Sequence, residues 1–162
     1  MHTRITTALG ELTLVADGGK LTGLYFPHHW YRPPASALGE FVADDPFFAE
    51  VAAQLDDFLA GRRTSFDLPV ALSGDDFQRS VWAMLTEIPY GSTTTYGALA
   101  ERLGDRALAQ AVGQAVGHNP VSIIVPCHRV VGKNGRLTGY AGGLRRKQHL
   151  LDLEEPTLAR LF

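Results

Sequence analysis

Apolar and polar positions change rhythm along this chain, and the changes mark its elements. From Arg4 to Phe26 they alternate in short runs broken at Gly10 and at Asp17 to Gly19, which predicts a meander of antiparallel strands with tight turns. Residues 27–45 carry three prolines and no period, and are expected to form a surface loop. From Pro46, Phe48, Val51, Leu55, Phe58 and Leu59 recur at steps of three and four, an amphipathic helix closed by Gly61. Residues 64–72 read as one more strand, and 73–76, SGDD, as a linker.

The second half is helical in rhythm. Phe77, Val81, Trp82, Leu85 and Ile88 share one face of a helix that Pro89 to Gly91 stop. STTTYGALAERLG offers a hydroxyl cap and a short helix ending at Gly104, and after a brief turn LAQAVGQAVGHNP gives another, ended by Asn119 and Pro120. Two short helices about a tight turn have the form of a helix-turn-helix, and equally of an αα-hairpin in an ordinary core. The second helix is almost bare: Ala109, Ala111, Gly113, Ala115 and Gly117. Glycine within a helix costs about 1 kcal/mol against alanine, so something is expected to approach closely, another helix or a nucleic-acid backbone. The β-branched run VSIIVPCHRVV then reads as a buried strand interrupted by Pro126, LTGYAGG as a glycine-rich loop, and LRRKQHLLDLE as a last helix with apolar contacts at Leu144, Leu150, Leu151 and Leu153.

Composition narrows the class. The chain has 162 residues, enough for one or two small domains, with 45% hydrophobic and 20% charged residues. No apolar run approaches membrane-spanning length, and the N-terminus lacks the pattern of a signal peptide. The single cysteine excludes an internal disulfide and a Cys-rich zinc site, and suggests a reducing, cytoplasmic setting. Net charge is −2, but residues 1–76 hold five Lys/Arg against eleven Asp/Glu, and residues 77–162 ten against six. Either this polarity is chance or a polyanion would meet the second half.

That one cysteine, Cys127, sits in PCHR. A free cysteine is usually a small buried hydrophobe. Against that reading stand Pro126, which ends or edges a strand, the cationic neighbours His128 and Arg129, which would favour a thiolate, and the glycine-rich loop downstream. Adjacent side chains of an extended chain point to opposite faces, so direct thiol–imidazole contact needs a turn or a bridging water. The histidine needs an acid to fix its tautomer, and Glu154 is the best placed in the basic half.

The ordered set FQRSVWAMLTEIPYGSTTTYGALAERLG, GHNPVSIIVPCHRVV and GYAGGLRRKQHLLDLE, nearly continuous from 77 to about 154, closely resembles the O6-alkylguanine-DNA alkyltransferases. The resemblance implies an α+β protein: an N-terminal antiparallel sheet-plus-helix domain of ribonuclease H type over 1–74, then a winged helix-turn-helix-like DNA-binding and alkyl-acceptor domain over 77–162. It implies a monomeric repair protein, cytoplasmic and nucleoid-associated when bound, that flips an alkylated guanine from duplex DNA and takes the alkyl group irreversibly onto Cys127. Glu154 would orient His128, which would deprotonate Cys127 through a water. Tyr96 would help rotate the nucleotide and donate a proton toward the base, and Asn119 would tie the recognition helix to the active-site turn. Tyr140 would wall the guanine pocket, the carbonyls of Cys127 and Val130 would read the guanine amino group, and the amide of Ala141 would face O6. Thr95, Tyr96, Arg106, Gln110, Ala111, Gly113 and Arg129 would meet DNA. Neither cofactor nor metal is expected, since His28 and His29 lack cysteine partners and read as solvated.

Two positions depart from the family pattern. Gln110 stands where an arginine usually fills the gap left by the flipped base, with Arg106 one turn earlier as partial compensation, and Ala141 replaces a frequent serine. Two other readings are an alkyltransferase-like protein that recognises lesions without repairing them, and a cysteine hydrolase. Members of the first group lack the cysteine kept here, and no oxyanion-hole signature supports the second.

Overall fold

The alternating N-terminal segment folds as three antiparallel strands in the order β1-β2-β3, His2–Thr7, Gly10–Asp17 and Lys20–Tyr25. The computed structural model describes residues 1–29 and 31–155. Asp17 pairs with Lys20, and both intervening glycines have positive φ (57° and 77°), the two-residue turn whose twist matches paired strands. Leu12, Leu14, Ala16, Leu21 and Leu24 point inward and are sealed from solvent. Helix α1, Pro46–Leu59, lays the predicted Phe48, Val51, Leu55 and Phe58 into the same core. Burying each such side chain stabilises by about 1.5–3 kcal/mol. Its start is encoded locally: Asp45 accepts the Phe47 amide at 2.8 Å, and Pro46 takes the first helical position.

The expected strand over 64–72 does not form. Only Val70 bridges to Leu21, through Leu21 N to Pro69 O and Ala71 N to Leu21 O, because Pro69 has no amide with which to extend the ladder. The loop after β3 is also less exposed than expected. His29 is buried, accepting the Phe26 amide on Nδ1 at 3.1 Å, and burial together with the Arg32 charge lowers its pKa to about 4.

The second half begins earlier than the linker reading allowed. Asp75 caps α2, Asp76–Thr86, in a reciprocal pair with Gln78. Helices α3, Tyr96–Arg102, and α4, Ala109–Gly117, follow as predicted, joined by a single 3-10 turn at Arg106–Leu108. Trp82 Nε1 donates to Ala115 O at 2.8 Å and fixes α2 against α4. Two-residue strands β4, Thr94–Thr95, and β5, Val130–Val131, pair in parallel, and helix α5, Leu144–Glu154, ends the described chain; the remainder of the expected second domain, 156–162, lies outside the described residues.

The β-branched run 121–125 is buried, as expected, but it is a turn and not a strand. Asn119 closes it with both ends of its amide, Nδ2 donating to Val125 O at 2.8 Å and Oδ1 accepting from Val121 N at 3.0 Å. Within the loop so formed Ile123 is left-handed (φ 71°), a conformation that costs a β-branched residue roughly 1–3 kcal/mol. Leu24 N donates to Pro120 O, so the edge of the first sheet abuts this turn. In α5 the buried positions are Lys147, Leu150 and Glu154, while Leu144 is exposed. Charged groups turn inward on this helix because both find partners there.

Candidate active site

Cys127 opens a single 3-10 turn, Cys127–Arg129, immediately after Pro126. In such a turn successive side chains diverge by about 120°, so Cys127 and His128 point different ways and no hydrogen bond joins them. Cys127 is almost fully buried at the floor of a cavity of about 510 Å³. His128 turns from the cavity toward α5, where its Nε2 lies 2.6 Å from Glu154 Oε2.

Glu154 is saturated. Its Oε1 accepts from Arg129 Nε (2.8 Å) and Gly91 N (3.2 Å), and its Oε2 from His128 and Arg129 Nη2 (3.1 Å). Burial alone would raise its pKa, but the hydrogen bonds from His128 and Arg129 and the Arg129 charge hold it down at about 2. An ionised carboxylate only accepts, so His128 Nε2 carries the proton of that bond. Burial lowers the His128 pKa despite the pull of Glu154, and the ring is neutral. Its Nδ1 therefore keeps a lone pair, and this buried atom has no partner among the described residues. The arrangement is that of a base with its tautomer set from behind.

The cationic neighbours expected to favour a thiolate do not do so. His128 is neutral, and Arg129 is buried with Glu154, with Ile88 O (2.7 Å) and against the Tyr90 ring. Arg129 is thus also withdrawn from the surface on which it was expected to meet DNA. The cation nearest in effect to the sulfur is Lys147, sealed in α5, its Nζ donating to Thr138 O (3.3 Å) and Gly139 O (3.4 Å). Burial pushes the Cys127 thiol up, opposed by the side chains of Asn119 and Ser122 and by Lys147, whose own pKa burial lowers to about 8. At neutral pH the resting group is a thiol that needs a base.

The cavity wall gathers five of the remaining expected residues, Tyr96, Gln110, Gly113, Tyr140 and Ala141. Tyr96, first residue of α3, reaches it because Thr95 caps that helix by accepting Ala98 N and because β4 pairs beside Val130, next to the Cys127 turn. Thr95 spends its hydroxyl on that cap. Tyr140 is buried edge-on to Phe26, with its hydroxyl unpartnered among the described residues, and Ala141 lines the cavity beside it. The carbonyl of Cys127 already accepts the Val130 amide, which leaves it one lone pair. The glycine loop is built on Phe26: a Cβ on Gly142 would stand 2.5 Å from that ring.

Helix α4 packs inward through Val112, Ala115 and Val116. Its bare side is divided: Gly113 and Gly117 face the cavity, whereas Gln110 at the rim and Ala111 are exposed. Arg106, expected to support Gln110, is exposed but turned back to an ion pair with Glu101, its guanidinium lying over Gly97.

Several contributors went unseen in the sequence. Tyr31 stacks on His118 with ring centroids 3.5 Å apart and overhangs the cavity mouth. Arg146 lies over Phe26 and bonds Leu9 O and Gly142 O, tying the pocket loop to the first sheet. Lys147 and Glu154 sit seven residues apart on one face of α5, a spacing that two buried charges could have announced. Among the described residues, no cluster of three or more His, Cys, Asp or Glu could hold a metal ion, and no helix is long and apolar enough to cross a membrane.

Two family models cover the chain: the ribonuclease-like domain of 6-O-methylguanine DNA methyltransferase over residues 1–72, and its DNA-binding domain over 76–156. A methylated-DNA–protein-cysteine methyltransferase of Mycobacterium tuberculosis is 45% identical over 151 residues, 93% of this chain and 90% of that one. One from Methanosarcina acetivorans is 52% identical over 114 residues, 70% of this chain and 73% of that one. The crystal structure of the M. tuberculosis OGT in complex with DNA superposes with a TM-score of 0.86 at 43% identity, covering 96% of this chain and 92% of that one. With a buried lone thiol, a neutral histidine and its carboxylate already in place, these matches settle the lineage: the chain belongs to the 6-O-methylguanine DNA methyltransferase family.

Proposed function

We propose that this protein repairs duplex DNA by moving the alkyl group of O6-alkylguanine onto Cys127, once per molecule. The observation that carries the reading is the sole cysteine at the floor of the cavity, backed by neutral His128 and ionised Glu154. The second half, from about residue 77, would hold DNA, and residues 1–74 would brace it.

A flipped guanine enters the cavity between Tyr140 and the α4 side. His128 Nδ1 takes the thiol proton through an intervening water, since the turn keeps the two side chains apart. Cys127 Sγ then attacks the alkyl carbon in line, forming the S–C bond as the C–O6 bond breaks. The purine leaves as an anion and recovers a proton from the Tyr96 phenol. Lys147 steadies the thiolate while it exists, and Asn119 holds the turn. A thioether has no good leaving group, so the acceptor is spent. Gln110 enters the duplex at the rim, while Arg129 serves the Glu154 carboxylate instead of DNA.

The test is incubation with a duplex carrying O6-benzylguanine, followed by intact mass and peptide mapping. Gain of one benzyl group on Cys127, absent in Cys127→Ser, is the expected result. Tight binding with no mass change would make the chain a recognition module, and repeated turnover would refute suicide transfer.

A further inference from the structure

Tyr96 and Thr138 stand 42 positions apart in sequence, yet the Thr138 hydroxyl donates to Tyr96 Oη at 3.1 Å. Both side chains line the cavity above Cys127. We propose that Thr138 is a positioning residue for proton donation by Tyr96: its hydroxyl occupies one lone pair of the phenol oxygen, so that the phenol proton is directed to the flipped base. The proposal rests on the donor role given to Tyr96 above.

Thr138 is fixed from two further sides. Its methyl packs on Gly132, where an added Cβ would lie 2.9 Å from Cγ2. Its carbonyl accepts from Lys147 Nζ at 3.3 Å, and that lysine is itself sealed in α5. A β-branched side chain with its methyl and backbone so held has one staggered well left for the hydroxyl, the one aimed at Tyr96. Tyr96 is equally restrained, at the capped start of α3 with its ring beside Gly113.

A phenol has one proton and two lone pairs. With one lone pair filled by Thr138, the O–H turns away from the loop and into the cavity. As the alkyl carbon passes to sulfur, the anionic purine takes that proton and the charge moves to Tyr96 Oη. Burial raises the Tyr96 pKa and so opposes this step, whereas the bond from Thr138 stabilises the charge that develops. The phenolate regains its proton from solvent once repair is complete.

Thr138→Val keeps shape and the methyl contact but removes the hydroxyl, and Thr138→Ser keeps the hydroxyl. In single-turnover transfer from saturating O6-methylguanine duplex, Thr138→Val is expected to be about tenfold slower, with DNA affinity and Tm unchanged. Thr138→Ser should recover most of the rate. In a Tyr96→Phe background, Thr138→Val should cost nothing further, because no phenol oxygen remains to be held. An equal cost in both backgrounds, or a serine variant as slow as valine, would overturn the positioning role. Tyr96→Phe transferring at the wild-type rate would instead remove the donor role, and this proposal with it.

Discussion

His128 Nε2 and Glu154 Oε2 lie 2.6 Å apart, both side chains essentially sealed from water. The carboxylate fixes the proton on Nε2 and thereby frees Nδ1, so one bond sets both the tautomer and the chemistry. Glu154→Gln removes the ionised acceptor and strands Arg129 inside. A general base contributes about 10²–10⁴-fold, so transfer should slow by at least roughly 100-fold. Breaking a buried ion pair costs about 3 kcal/mol or more, so the urea midpoint should fall as well. Quenched single-turnover assays on the folded variant check the first expectation, and a wild-type rate would sink the assigned base.

The same pair predicts a pH profile. The folded-state pKa of His128 lies below its ordinary 6.5, so the base form survives into mildly acidic solution. Transfer should hold steady between pH 7.5 and 6.5, where Lys147 keeps its charge, and decline below that. A half-maximal rate near pH 7.5 in wild-type protein would mean that another group limits the reaction.

His29 makes a separate prediction, on stability. Its folded-state pKa is about 4, depressed from 6.5, because the buried ring disfavours a charge. The unfolded chain binds the proton first, so this contribution is complete above pH 6.5 and is lost as pH falls toward 4. Discounted for partial solvent access, the loss is on the order of 2 kcal/mol. His29→Gln, which can still accept the Phe26 amide, should flatten the fall in urea stability between pH 6.5 and 4. Parallel curves for the two proteins would exclude His29 as the source.

Asn119 joins both ends of the 121–125 turn that leads into Cys127, and left-handed Ile123 lies within it. Asn119→Ala leaves the buried Val121 amide without its partner and removes one of two bonds to the Val125 carbonyl, which still accepts the Cys127 amide at 2.8 Å. An orphaned buried amide costs about 1–3 kcal/mol, so a loss of about 2 kcal/mol in urea unfolding is expected, with slower transfer. A loss below 0.5 kcal/mol would show the turn to be self-supporting.

The elements with strong periodicity were legible in the sequence, and the places where it misled share a cause. Residues 121–125 have strand composition, but a side chain outside the run, Asn119, bends it into a turn. Arg129 looked like a surface cation beside the thiol, yet Glu154, 25 residues later, draws it inside. Lys147 is not singled out in the sequence, and it is buried where Thr138 and Gly139 offer their carbonyls. Local pattern reports what a segment prefers by itself, whereas each of these depends on a partner far along the chain. Cys127, His128 and Glu154, to which we assign the transfer, stood out because their order is distinctive, and Thr138 did not because one hydroxyl in a glycine loop is not.

Gln110 remains the position where sequence and geometry raise the same question. It stands exposed at the cavity rim in the first turn of α4, and Arg106 is held back by Glu101. Glutamine can hydrogen-bond an orphaned cytosine, but it is shorter than arginine and uncharged. If holding the base outside the helix is limited here, Gln110→Arg should tighten binding to a duplex containing O6-methylguanine by about 3- to 10-fold and raise the transfer rate at subsaturating DNA. Binding should also become steeper in salt by roughly one ion if the guanidinium meets a phosphate, and hardly change slope if it fills the base gap. Anisotropy titrations at two salt concentrations, paired with single-turnover rates, separate these cases. Unchanged affinity and rate would mean that glutamine already suffices for extrusion in this protein.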